Sequence, residues 1–335
     1  MMKLIKTILP LFLGVFLCWY AYSQFTDEQL NEIKEKFLKA DYFYIILSVL
    51  LGFLSNVSRA LRWELLLNPM GYKTRSYNRI MAVFIGYLVN VTIPRSGEIS
   101  RALVVNRYDG VPFDKSIGTI ISERVVDLIL LLSFTLTAFL LQFNLISEFL
   151  LSIIPFQKLI FLLGIVLVLG VLFSIWVYKS THFIALKVRN FVAGLKEGIF
   201  SILKLRRRGA FLLHTIFIWT MYVLMFYLPF LALPETSYVS IGTVLTSFVV
   251  GSFAIAFTNG GFGSYPFFIA EILLLFGIPL VSGTAFGWIV WTAQFFMTLF
   301  FGGISFILLP LLNRYQEDEK CFFLRMRKIS KTRNS

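Results

Sequence analysis

The sequence predicts an all-α, polytopic helical membrane protein: about six full spans plus two broken or re-entrant helix pairs, eight to ten apolar segments in all, arranged as an inverted repeat. Three observations predict it. Hydrophobic residues make up 58% of the chain and charged residues only 15%, against roughly 25% charged in soluble proteins. Apolar runs near the ~20 residues that cross a bilayer as a helix recur from end to end, and the mean hydropathy is +0.79. Finally, ionisable residues interrupt those runs, where each costs about 2.5–3.5 kcal/mol unless it is paired or faces water.

The full spans are read at 4–23, 42–66, 116–142, 158–178, 211–233 and 283–310. Residues 79–94, 239–258 and 264–281 are shorter or broken by Pro and Gly. The first run, with Lys3 and Lys6 before it and Ala21-Tyr22-Ser23 after it, has the outline of a signal peptide. Its length of nearly twenty apolar residues favours a retained span. Residues 1–312 are thus expected to form one transmembrane domain and 313–335 a basic cytoplasmic tail.

Charge fixes the orientation. Lys179, Lys187, Arg189, Lys196, Lys204, Arg206, Arg207 and Arg208 crowd one connection, with Glu197 as its one acid, and a second basic group fills the tail. Loop 24–41 is instead rich in acids: Asp27, Glu28, Glu32, Glu35 and Asp41. With both termini in the cytoplasm of a cell (inner) membrane, every basic segment lands inside. The net charge of +13 then serves orientation and anionic headgroups at the cytoplasmic face. Nucleic-acid binding is not expected.

The same layout holds a symmetry. Residues 42–142 read as span, broken pair, span, and 211–310 read the same way. The single span at 158–178 inverts the second unit relative to the first, an architecture of membrane transporters.

The ionisable groups at membrane depth define the candidate site. In VNVTIPRSGEISRALVV, Pro94 opens a new helix, Gly97 permits close backbone approach, and Glu98 stands between Arg95 and Arg101 at spacings of three. In the next span, Glu123 and Asp127 share a face and Arg124 is within reach of Asp127. Guanidinium groups oriented by carboxylates suit bidentate phosphate binding. The blander readings are a charged surface loop for the first group and a structural ion network for the second. Arg59 and Arg62, beside Trp63, read as snorkelling residues with an interfacial aromatic anchor, or as contacts to the phosphate headgroups that sit at this level.

Asn259, Gly260, Gly261 and Gly263 form a second break, whose free backbone groups suit a ligand or, more plainly, tight helix packing. Glu271 is an isolated acid in an apolar segment, either a proton site or a residue reaching the interface. The two cysteines, Cys18 and Cys321, stand far apart, His182 and His214 are too few for a metal centre, and no cofactor motif appears.

The succession SRALRWELLL, GYLVNVTIPRSGEISRALVV, ISERVVDLILLL and NGGFGSYP resembles the lysylphosphatidylglycerol synthase transmembrane-region family over roughly residues 5–312. The resemblance implies a helical fold with re-entrant segments and a flippase-like role in moving a lipid between leaflets. Two-domain members carry a soluble synthase domain with no counterpart in this sequence, so aminoacyl transfer is not expected. The family's glycine motif often carries Pro before the glycine pair and Glu after the last glycine; Asn259 and Pro266 stand there instead. The expected function is therefore transport of a phospholipid or polyprenyl-phosphate lipid. The alternatives are a membrane-embedded enzyme of lipid-linked sugar or aminoacyl-lipid metabolism, and a non-transporting scaffold.

Overall fold

A computed structural model describes residues 2–144, 156–190, 193, 205–258 and 260–333. Among them every regular element is a helix. The first helix, α1 (Met2–Ser23), is followed by α2 (Asp27–Lys39), α3 (Tyr42–Leu67) and the pair α4 (Ser76–Thr92) and α5 (Gly97–Asp109). Next come α6 (Phe113–Leu141) and α7 (Phe156–Lys179), the latter turning by 94° into α8 (Phe183–Asn190). The chain ends with α9 (Arg208–Tyr227), the pair α10 (Ile241–Phe257) and α11 (Ser264–Leu275), and α12 (Leu280–Arg333).

Each of the six runs read as spans is a helix. Four of them, at Tyr42–Met70, Phe113–Leu141, Arg208–Ala232 and Leu280–Arg314, are long and apolar enough to cross a membrane by themselves. The protein is thus a multi-pass membrane protein. These four flank the two broken pairs. Helices α4 and α10 have 17 residues each, about 26 Å at 1.5 Å per residue and short of the ~30 Å hydrocarbon core.

The two units pack head to tail. Ser48 of α3 bonds to the Met225 carbonyl at one end of α9, and Ser58 meets His214 at the other, so these helices run antiparallel. Helix α4 lies on α12, with Phe84 against Phe301 and Asn78 bonded to Asn313. Correspondingly, α10 lies on α6, with Phe248 against Phe134 and Gly242 beside Gln142. Each unit therefore holds the half-helix of the other.

Two segments hold helix that the sequence reading did not assign. Loop 24–41 contains the helix α2, nucleated by a capping box in which Thr26 and Gln29 bond reciprocally, and Lys36 pairs with Glu32 and Glu235. The basic residues from 313 onward are part of α12, which runs as helix to Arg333. Lys196, Glu197 and Lys204 of the basic loop lie outside the described residues.

The break in the first unit is shaped by close packing. A side chain at Gly97 would strike the Gly86 carbonyl and the Asn90 amide, and Asn90 Oδ1 accepts from the Gly97 N–H at 2.7 Å. Gly97→Ala is expected to lower stability by about 1–3 kcal/mol through overpacking, read as a reduced unfolding temperature of the detergent-purified protein. An unchanged temperature would show that α4 and α5 separate freely.

Candidate functional site

The candidate site is an ion network joining α3, α5 and α6, near the middle of the molecule. Asp127 stands about 21 Å along α6 from Phe113, close to the midpoint of that 29-residue helix. Its carboxylate accepts from Arg59 Nη1 at 2.7 Å and from Arg62 Nη2 at 3.0 Å. Arg124 Nη1 approaches the same carboxylate at 3.7 Å, and Trp219 Nε1 donates to it at 3.5 Å. One turn earlier, Glu123 lies 2.8 Å from Arg101 Nη2 and 3.6 Å from Arg62 Nε. Arg124 Nη2 is 3.1 Å from Glu98.

Burial separates these groups into a base and a mouth. Arg62 and Glu123 are 0% exposed, and Arg59, Arg101 and Asp127 are buried as well. The Arg124 and Glu98 side chains are 40% and 32% exposed. They line a narrow cleft together with Arg59, Val83, Gly86, Tyr87, Asn90, Gly97 and Arg101. Behind the cleft surface, several buried atoms of the network lack a hydrogen-bond partner among the described residues: Nε of Arg59, Arg62, Arg101 and Arg124, and both carboxylate oxygens of Glu123. The network has four guanidiniums (Arg59, Arg62, Arg101, Arg124) against three carboxylates (Glu98, Glu123, Asp127), leaving one positive charge in excess. A buried excess charge is costly without a counter-ion, so the arrangement is suited to holding an anion.

The structure corrects the reading of Arg59, Arg62 and Trp63. They do not snorkel to an interface; all three are buried, because α6 supplies carboxylates at their level and α9 supplies Tyr222 and Thr215 as further acceptors. Glu98 does not bridge Arg95 and Arg101. It turns to Arg124 on α6, while Arg101 pairs with Glu123. Arg95 is exposed on the break, with a left-handed backbone (φ 63°) and no ion pair among the described residues. Such a conformation is uncommon outside glycine.

The second break is a tight turn in which Gly260, Gly261 and Gly263 all have positive φ and so exploit glycine's freedom. Gly263 packs on the Gly14 backbone of α1, and Trp291 Nε1 donates to the Gly260 carbonyl at 2.9 Å. No hydrogen bond or ion pair joins this turn to the ion network among the described residues. Asn259 lies outside them. Glu271 is on an exposed face of α11, beside Phe268 and Leu275.

Tyr87 and Tyr222 are site residues that the sequence reading missed. Tyr222 accepts from Arg59 at 3.0 Å, and its hydroxyl is 3.4 Å from that of Tyr87 in the cleft wall. A signal was present: Thr215, Trp219 and Tyr222 recur at spacings of four and three, one polar stripe along an apolar helix. Among the described residues, no three His, Cys, Asp or Glu side chains are placed to hold a metal ion.

Comparison with known proteins places this geometry in context. A family model described as "Lysylphosphatidylglycerol synthase TM region" matches residues 7–302. A UPF0104 membrane protein of Methanocaldococcus jannaschii is 28% identical over 110 residues, 32% of this chain and 33% of that protein. A UPF0104 membrane protein of Pyrococcus horikoshii is 26% identical over 179 residues, 52% of this chain and 51% of that protein. The chain thus spans about a third and a half of the lengths of these two curated relatives. No solved structure matches.

Proposed function

The chain belongs to the lysylphosphatidylglycerol synthase TM region family, and from that footing we propose that it moves a phosphate-bearing lipid between the leaflets of the inner membrane. The observation that carries this reading is the excess of one positive charge in an ion network at the midpoint of α6, beside a cleft lined by Arg59, Arg101 and Arg124. A lipid phosphate supplies the missing anion while its chains stay in the bilayer. Arg124 at the mouth meets the phosphate first, with Arg59 and Arg101 behind it. Asp127 and Glu123 hold those arginines in place, and Arg95 on the break adds positive charge outside the cleft. The matched half-helix pairs supply parts that could rock against each other. On this reading the protein is a transporter and not an enzyme, and the lipid leaves chemically unchanged.

Leaflet-resolved lipid movement in proteoliposomes tests the reading, using a panel of anionic, zwitterionic, polyprenyl-phosphate and phosphate-free lipids. Movement restricted to phosphate-bearing lipids is expected. Equal movement of phosphate-free lipids, or none of any lipid by folded protein, would overturn the proposal. A chemically altered lipid would instead point to the enzyme.

The orientation proposed here puts both termini in the cytoplasm and the α2 side outside. Tyr238, 94% exposed next to α10, is expected to react as Tyr238→Cys with a membrane-impermeant maleimide in intact spheroplasts. Native Cys321 is expected to react only after permeabilisation. The reverse pattern would invert the topology.

A further inference from the structure

Arg101 is held differently from the other three arginines of the network. Arg59, Arg62 and Arg124 each approach Asp127, and Arg59 and Arg62 also bond to Tyr222 and Thr215. Arg101 pairs with Glu123 instead: its Nη2 lies 2.8 Å from that carboxylate, and its buried Nε has no hydrogen-bond partner among the described residues. What lies against its flat side is Trp63: the guanidinium carbon sits 4.0 Å from the centre of that ring. An aromatic face at this distance attracts a cation most strongly where water is excluded, and both residues are buried.

Trp63 is itself fixed in rotation. Its Nε1–H donates to Thr119 Oγ1 at 2.8 Å, and the Thr119 hydroxyl donates to the Ser116 carbonyl at 2.7 Å. The indole is therefore pinned by α6, the helix that also carries Glu123 and Arg124. Stacking occupies the face of the Arg101 guanidinium, Glu123 takes its Nη2, Nε is left without a partner, and Arg101 lines the cleft.

We propose that Trp63 is the positioning residue for anion recognition: it holds the Arg101 guanidinium flat by its face and, with Glu123 on Nη2, fixes it in the cleft wall where the phosphate of the lipid binds. This inference rests on the transport reading for the identity of the anion but concerns binding alone. Thr119 contributes by holding the indole plane, and α6 thereby sets the angle of an arginine carried on α5.

Equilibrium binding to the full-length protein in detergent tests it. The probe is a soluble dihexanoyl phospholipid with an anionic phosphodiester headgroup, and dihexanoylglycerol is the uncharged control. Trp63→Leu is expected to weaken phospholipid binding by about tenfold, whereas Trp63→Phe, which keeps a ring face, stays within about threefold. Thr119→Val, which keeps the indole and removes only the acceptor of its N–H, is expected to weaken binding no more than Trp63→Phe does, with the diacylglycerol control unchanged throughout. Unaltered binding by Trp63→Leu would overturn the proposal and leave the transport reading standing. So would an equal loss in Trp63→Phe, which would assign the effect to packing volume. Absence of phospholipid binding by the wild-type protein would overturn both, and ring-dependent binding without any lipid movement in proteoliposomes would overturn the transport reading alone.

Discussion

Replacing Asp127 with alanine is expected to destabilise the folded protein by about 3–5 kcal/mol, the largest loss for any single substitution in the site. The cause is the number of groups that depend on one carboxylate. Arg59 and Arg62 both donate to it, Arg124 lies at 3.7 Å, and the Trp219 N–H points to it from α9. Removing it leaves two buried guanidiniums without their main counter-charge and breaks the junction between α3, α6 and α9. Asp127→Asn keeps the shape and one acceptor oxygen, so a smaller loss is expected. The check is the unfolding temperature and the folded yield in detergent. An alanine variant as stable as the wild type would mean that water reaches the arginines from a direction the packing does not suggest.

The second large effect is on activity. Arg124→Ala is expected to reduce lipid movement at least a hundredfold while the protein still inserts and folds. Arg124 is 40% exposed and Glu98, its partner, 32%, so its removal leaves no fully buried orphan. Asp127 retains Arg59 and Arg62. What disappears is the excess positive charge of the network and the donor nearest the open side of the cleft. Loss of a charge-assisted phosphate contact that no other group at the mouth replaces is expected to have consequences of this order. Leaflet-resolved transport in proteoliposomes, with circular dichroism as the folding control, provides the measurement. Transport within a factor of two of wild type would remove Arg124 from the account.

The comparison of sequence with structure follows from which interactions are local. The spans were legible because a bilayer demands long apolar runs, and each expected run is a helix. The breaks were legible because Pro94 and the glycines at 260–263 interrupt those runs. The partners of the charges were not. Spacing along one helix suggested Glu98 with Arg95 and Arg101, whereas the ion pairs form between helices. Arg59 reaches Asp127 across 68 positions, and no single-helix periodicity encodes that choice. Arg59 and Arg62 looked interfacial because a sequence gives no depth for a residue 17 or more positions into a 26-residue helix until a partner helix is placed beside it. The helix α2 escaped notice because its composition is polar; its capping box, Thr26 to Gln29, was the available signal.

The most direct test of the central claim, that a lipid phosphate occupies the charged cleft, is native mass spectrometry of the full-length protein released from its own membrane, with Arg124→Ala beside it. The account predicts that the wild type retains a phosphate-bearing lipid and that the variant loses it while annular lipids stay the same. Retention of the same phospholipid by both proteins, or of phosphate-free lipids alone by the wild type, would contradict it.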